Sequence, residues 1–302
     1  MEQKGVLALK DIFAGLYNCR SFEIMTTGAN NKFALPNALR PGDVLTILLG
    51  LRLSGVSIAV VPKEPDHAWT DSPSYHAFLG FNQRLFTSSA FSTAWHNIEA
   101  LSFTDVATNT GRHQGYILRI IKASKKLRSL HLTFGSFTPS VENIIRSLSA
   151  SGSSQLGDLH LETGILGPCE QSLELFIIPH SKTLQRLYLG HLSLNTLNGG
   201  WTNILQTIAN HCSALEAFRV IYLKEDYFGD LSVLHFPRLK FHFFVDADAQ
   251  TNFLYCVSSI KRPDGKNAIS GATYMGPKMK TAVRRLIEMA ELGTWQTVFY
   301  YH

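Results

Sequence analysis

The chain is poor in the short signatures that mark common chemistries. No Walker A loop, no G-x-G-x-x-G and no G-x-S-x-G orders its glycines, serines and histidines, so the sequence supports neither a phosphate cradle nor a hydrolase nucleophile elbow. Its four cysteines, Cys19, Cys169, Cys212 and Cys256, are widely separated and form no C-x-x-C, which excludes a zinc ribbon or a thioredoxin-type motif. They read as buried, reduced thiols of an intracellular protein, cytoplasmic or nuclear. Lys and Arg form no run and do not interleave regularly with aromatics, and the net charge of +5 is mild, so charge alone does not imply nucleic acid. Met1-Glu-Gln-Lys-Gly carries an acidic residue and no apolar core of signal-peptide length.

A membrane span is also unsupported. The one long apolar stretch, Val44–Val61, has Arg52 near its middle and is diluted by Thr46, Ser54 and Ser57. An unpaired Arg at the bilayer centre costs at least ~2.5 kcal/mol. Ser54-Gly55 divides the stretch into a buried helix and a β-branched strand. Charged residues make up 17% of the chain and hydrophobic residues 45%, so the sequence can build a large core rather than remain disordered.

What is present is a repeat. Leu127-Arg-Ser-Leu130-His-Leu132, Leu156-Gly-Asp-Leu159-His-Leu161 and Leu184-Gln-Arg-Leu187-Tyr-Leu189 each read L-x-x-L-x-L, with first leucines 29 and 28 residues apart. The last two leucines of each copy share one face of a short strand. One such strand cannot bury that face alone. Equivalent strands laid side by side form a parallel sheet, with the intervening segment returning on the other side. Cys19-Arg-Ser-Phe22-Glu-Ile24, Val56–Val60, Ile98-Glu-Ala-Leu101-Ser-Phe103, Leu215-Glu-Ala-Phe218-Arg-Val220 and Phe236-Pro-Arg-Leu239-Lys-Phe241 extend the pattern.

The returns carry helical stripes. Residues 6–18 and about Pro41–Leu53 are expected helices, as are Gly115–Leu127, Ser140–Ala150, Cys169–Ile178 and Trp201–His211. Gly271–Leu292 is expected as a terminal amphipathic helix, with Met279, Val283, Leu286, Ile287 and Ala290 on one face and Lys280, Arg284 and Arg285 on the other. Residues from about 62 to 97 break the rhythm with Pro62, Pro65 and Pro73 and read as an insertion, with one short helix near Phe78–Phe86. The expectation is one domain over 1–302: an α/β, leucine-rich-repeat-like solenoid (a horseshoe), with parallel strands on the concave face, helices on the convex face and a C-terminal cap from about 245 to 302.

The run Leu127–Val220 resembles a leucine-rich repeat of the helix-containing type. Asn18-Cys19-Arg-Ser-Phe22, the segment Leu39-Arg-Pro-Gly-Asp-Val-Leu-Thr-Ile-Leu-Leu49 and Tyr274-Met-Gly-Pro-Lys-Met-Lys-Thr-Ala-Val-Arg-Arg-Leu286 resemble fungal leucine-rich-repeat proteins of the F-box type. In that family an F-box precedes the repeats and docks onto Skp–cullin ubiquitin ligases. Here the repeat pattern begins by about residue 10, so the box itself is not expected within the chain. The resemblance implies a substrate-recognition role, with Skp–cullin machinery as a partner only if an F-box lies upstream.

Function then rests on the open-face positions around the last two apolar residues of each copy. These are Ser129 and His131, Asp158 and His160, Arg186 and Tyr188, Ala217 and Arg219, and Arg238 and Lys240. They are expected to bind a protein partner, with Tyr188 as an aromatic anchor, because Tyr and Arg are the commonest interface hot spots. No catalytic, cofactor or metal site is assigned. Two other uses of the same positions are alternatives. His131, Asp158 and His160 occupy neighbouring copies and adjacent strands lie about 4.8 Å apart, so they can be read as a metal-dependent hydrolase site. Arg186, Arg219, Arg238 and Lys240 can be read as a nucleic-acid surface. Asp246 and Asp248 are a cation-binding pair or, equally, a turn.

Overall fold

The computed structural model describes residues 21–26, 56–62, 95–96, 98–106, 111–134, 142–149, 155–166, 171–195, 200–227, 230–239, 255–262 and 265–294. The helices expected over 6–18 and Pro41–Leu53, the short helix near Phe78–Phe86, the pair Asp246 and Asp248, and Lys240 lie outside the described residues. The protein is mixed α/β, and its sheet is not closed into a barrel. The chain divides into two compact units, one of Met1–Thr138 with Ser151–Gln155, the other of Pro139–Ala150 with Leu156–His302.

The first unit holds β1 (Ser21–Thr26), β2 (Val56–Pro62), β3 (Ile98–Val106), α1 (Gly111–Ala123) and β4 (Ser129–Phe134). The four strands pair in chain order, all parallel. The apolar positions of the repeat fall in register: Phe22↔Ile58, Ile58↔Leu101 and Leu101↔Leu130 form one rung. β4 alternates strictly, burying Leu130, Leu132 and Phe134 while Ser129, His131 and Thr133 stay partly exposed. Ile117, Ile120 and Ile121 of α1 are buried, as their i, i+3, i+4 spacing requires.

The second unit begins with α2 (Glu142–Ser149), β5 (Asp158–Leu166), α3 (Gln171–Ile177), β6 (Arg186–Asn195), α4 (Gly200–His211) and β7 (Ala217–Ile221). β5, β6 and β7 are parallel neighbours, and two apolar rungs cross them, Leu159↔Leu187↔Phe218 and Leu161↔Leu189↔Val220. All six side chains are buried. Behind them α2 packs on α3 and α3 on α4. Trp201, Ile204, Leu205 and Ile208 are the buried stripe of α4.

The turn into each strand repeats as well. The carbonyl of Gly157, second residue of its copy, accepts from the N–H groups of Gln185 and Arg186, and the carbonyl of Gln185 accepts from Glu216 and Ala217. The same brace joins Arg128 N–H to the Glu99 carbonyl in the first unit. A shared local sequence thus produces a shared backbone ladder, in which each copy satisfies polar groups of the next.

One rung further on, the strands turn a corner. Glu162, Gly190 and Ile221 are paired across β5, β6 and β7, and each is followed by a left-handed residue: Thr163 (φ 54°), His191 (φ 51°) and Tyr222 (φ 49°). None is glycine, so each costs roughly 1–2 kcal/mol against an ordinary strand residue. Beyond the corner the ladder resumes, with Gly164↔Leu192 and Ser193↔Lys224 paired.

The C-terminal part departs from the repeat expectation. The remaining elements are β8 (Lys224–Tyr227), β9 (Asp230–His235), β10 (Cys256–Lys261), β11 (Asn267–Met275), α5 (Met279–Met289) and β12 (Glu291–Thr294). The place beside β7 is taken by β11, running antiparallel, and β10 pairs antiparallel with β11. Phe236-Pro-Arg-Leu239 is therefore not the next parallel strand. It follows β9, which pairs with β8 and β12, and forms a turn. The helix expected over Gly271–Leu292 is shorter than expected. Gly276 (φ 149°) and Pro277 end β11, Lys278 adopts the left-handed region, and α5 begins at Met279. The expected stripe holds in part: Met279, Val283 and Leu286 are buried and Lys280, Arg284 and Arg285 exposed, but Ile287 is only partly buried and Ala290 is the extended residue after the helix, while Ala282 and Met289 complete the buried face. α5 packs on α4, extending the helix row. Among the described residues, no helix is long and apolar enough to cross a membrane.

Candidate functional site

The face of the second unit's sheet opposite its helices carries the residues that alternate with the buried rungs. On β5 these are Asp158, His160 and Glu162; on β6, Arg186, Tyr188 and Gly190; on β7, Ala217, Arg219 and Ile221. Cross-strand pairing makes His160, Tyr188 and Arg219 one row, and the antiparallel pair Arg219↔Thr273 continues it onto β11. Directly opposite residues on one face are within side-chain reach, and this row is a set of such contacts.

Tyr188 is its centre. From β5 the His160 imidazole approaches with ring centroids 3.8 Å apart, and from β7 the Arg219 guanidinium carbon lies 5.0 Å from the Tyr188 centroid. The phenol oxygen donates to Glu162 Oε1 at 3.2 Å, while Glu162 Oε2 lies 3.2 Å from His160 Nε2. The carboxylate can only accept, so the second contact puts a proton on Nε2. Burial, joined by the negative charge and hydrogen bond of Glu162, pushes the Tyr188 phenol up to about 12, so it stays a neutral donor. One rung away Asp158 and Arg186 form an ion pair at 2.8 Å.

Beyond the corner sits a second aromatic group. The His191 and Tyr222 rings are 5.6 Å apart and the Lys224 ammonium lies 4.5 Å from the Tyr222 centroid. Burial lowers the His191 pKa, Glu162 opposes that shift and Lys224 reinforces it; burial also lowers Lys224. The two groups are thus coupled electrostatically through Glu162.

Five of the expected face residues, Asp158, His160, Arg186, Tyr188 and Arg219, come together here. Ser129 and His131 belong to the first unit, on the partly exposed side of β4, where His131 Nε2 lies 3.2 Å from Thr133 Oγ1. Arg238 is exposed in the turn after β9 and does not share a strand ladder with Arg219; Lys240 lies outside the described residues.

Glu162 and Gly190 were missed by the repeat pattern, although both lie on its face. Glu162 is two residues after His160, which a strict period of two would have included. Gly190 is a strand glycine, a signal of close approach by another group. Compared with protein-family models and with curated proteins, the chain matches none.

Proposed function

We propose that the chain is a non-enzymatic protein-binding module of the leucine-rich-repeat type, whose open sheet face recognises a partner. The recurring L-x-x-L-x-L strands, their matched apolar rungs, the repeated carbonyl brace and the repeated left-handed corner support the solenoid reading. The observation that carries the functional reading is the row His160–Tyr188–Arg219. It joins an aromatic ring, a guanidinium and an imidazole whose geometry is already fixed by contacts within the sheet. A side chain ordered before binding loses less entropy on binding, and Tyr and Arg are the residue types that most often dominate interfaces. The buried thiol of Cys212 fits the expected cytoplasmic or nuclear setting, whereas Cys256, expected to be buried, is exposed.

The ubiquitin-ligase role rests on the F-box-type resemblance and needs a Skp-binding segment encoded upstream, which inspection of the flanking reading frame tests. The nucleic-acid and metal readings draw less support. Arg186 pairs with Asp158 at 2.8 Å, so the nucleic-acid reading shares one of its cations with a carboxylate and the metal reading shares Asp158 with a guanidinium.

Affinity capture from native lysate with the full chain, its Tyr188→Ala and Arg219→Ala variants, and Lys280→Ala on the helical side tests the proposal. A partner recovered by the parent and by Lys280→Ala, but lost with both face variants, is the expected result. Equal recovery by all four proteins would refute it.

A further inference from the structure

The open face of the second unit uses up its own carboxylates and keeps one guanidinium spare. Asp158 is held by Arg186 at 2.8 Å, and Glu162 is held by His160 and by Tyr188, each at 3.2 Å. Arg219 is exposed, and among the described residues its guanidinium lies over the ring of Tyr188. An aromatic ring restrains the guanidinium through its π face and leaves the planar N–H fork available. Such a fork matches a carboxylate with two parallel charge-assisted hydrogen bonds. One rung from it, Met275 of β11 pairs with Ala217 of β7 and is 71% exposed. Tyr274 and Ala272 face the helices, so Met275 and Thr273 alternate onto the open face with Arg219.

Resting on the protein-binding reading above, we propose that this face binds an acidic side chain of an extended peptide segment, with Arg219 as the carboxylate receptor and Met275 as the contact for an adjacent apolar side chain. A phosphodiester chain fits the same surface poorly. It needs a row of cations along its length, whereas here Asp158 and Glu162 lie on the rungs to either side of Arg219's row. A lone guanidinium beside an exposed methionine is complementary to one acidic residue with an apolar neighbour.

The test starts with selection from a random peptide display library on the immobilised full chain. Recovered peptides, their Glu→Gln or Asp→Asn counterparts and a single-stranded DNA oligonucleotide are then titrated by fluorescence polarisation. The expected peptides carry an acidic residue next to an apolar one, and the amide counterparts bind about tenfold more weakly, the range of a lost charge-assisted hydrogen bond. Arg219→Gln removes that tenfold difference and Arg284→Gln, on the helical side, preserves it. Peptides that bind without acidic preference, or a preference that survives Arg219→Gln, overturn this inference and leave the protein-binding reading standing. Recovery of no peptide, with or without retention of the oligonucleotide, overturns both.

Discussion

The ring of Tyr188 lies over Gly190, two residues further along the same strand, so closely that a Cβ at Gly190 would meet Tyr188 Cζ at 2.8 Å. Gly190 does not have a left-handed backbone, so alanine is tolerated there by the main chain and the whole conflict falls on the ring. The absent side chain is what lets the phenol reach Glu162 across the strand pair.

Gly190→Ala should therefore cost about 1–3 kcal/mol by displacing the ring. In a Tyr188→Ala background the same change should cost less than about 0.5 kcal/mol, because the obstacle is gone. A double-mutant cycle by chemical denaturation measures the difference. Additive losses would mean that the ring does not occupy that space.

Adjacent positions on β5 should respond differently. Leu159 is buried on the Leu187–Phe218 rung, and Leu159→Ala should cost about 2–5 kcal/mol through the cavity it leaves. His160 is only partly exposed and contacts Tyr188 and Glu162, so His160→Ala should cost about 1 kcal/mol, more than a freely solvated position would. A one-residue slip of register would reverse this order, and denaturation midpoints of the two variants decide it.

Gly200 starts α4 with φ 57°, and the Glu225 carboxylate fills the space where a Cβ would stand. Glu225 Oε1 accepts from the Trp201 N–H at 2.6 Å, capping the helix with a negative charge at its positive end. Gly200→Ala should lose more than about 1 kcal/mol from the backbone alone, with the displaced cap adding to it. Glu225→Ala should lose about 1–2 kcal/mol. Thermal or denaturant unfolding of each checks these values; a neutral Gly200→Ala would contradict the positive φ.

Alkaline pH should weaken the fold. Burial pushes the Cys212 thiol up to about 11 from 9.0, and burial with Glu162 pushes the Tyr188 phenol up to about 12 from 10.0. Both groups are raised on folding, so their stabilising contributions are complete below the unfolded values and disappear as pH rises through the folded ones. Stability should fall between about pH 9 and 12, and Cys212→Ala should flatten the lower part of that fall. Alkylation in mild alkali should modify exposed Cys256 well before buried Cys212. Equal labelling rates, or a stability that rises over this range, would count against the burial assigned to these groups.

The strands of the repeat were legible because their signal is local. Two leucines spaced by one residue fix a face, and Leu159 with Leu161, Leu187 with Leu189 and Phe218 with Val220 all bury as that spacing demands. What sequence could not supply was pairing over long separations. Phe236-Pro-Arg-Leu239 carries the repeat spacing, yet its described residues form a turn and β11, from later in the chain, lies beside β7. Gly271-Ala-Thr-Tyr274 reads as the start of the following helical stripe because small residues suit either state, whereas it belongs to the end of a strand that Gly276-Pro277 separates from the helix. The Tyr188 cluster was half visible: the face residues followed from alternation, while the parts of Glu162 and Gly190 depend on how one ring lies across the sheet.

A photo-reactive amino acid placed at position 219 on the open face, and separately at position 284 on the helical side, tests the central claim most directly. Both positions are exposed, so incorporation should leave the fold intact. Illumination in native lysate should give a discrete cross-linked protein from position 219, suppressed by excess unmodified chain, and none from position 284. Cross-links from position 284 alone, or from neither position, would contradict the assignment of this face as the binding surface.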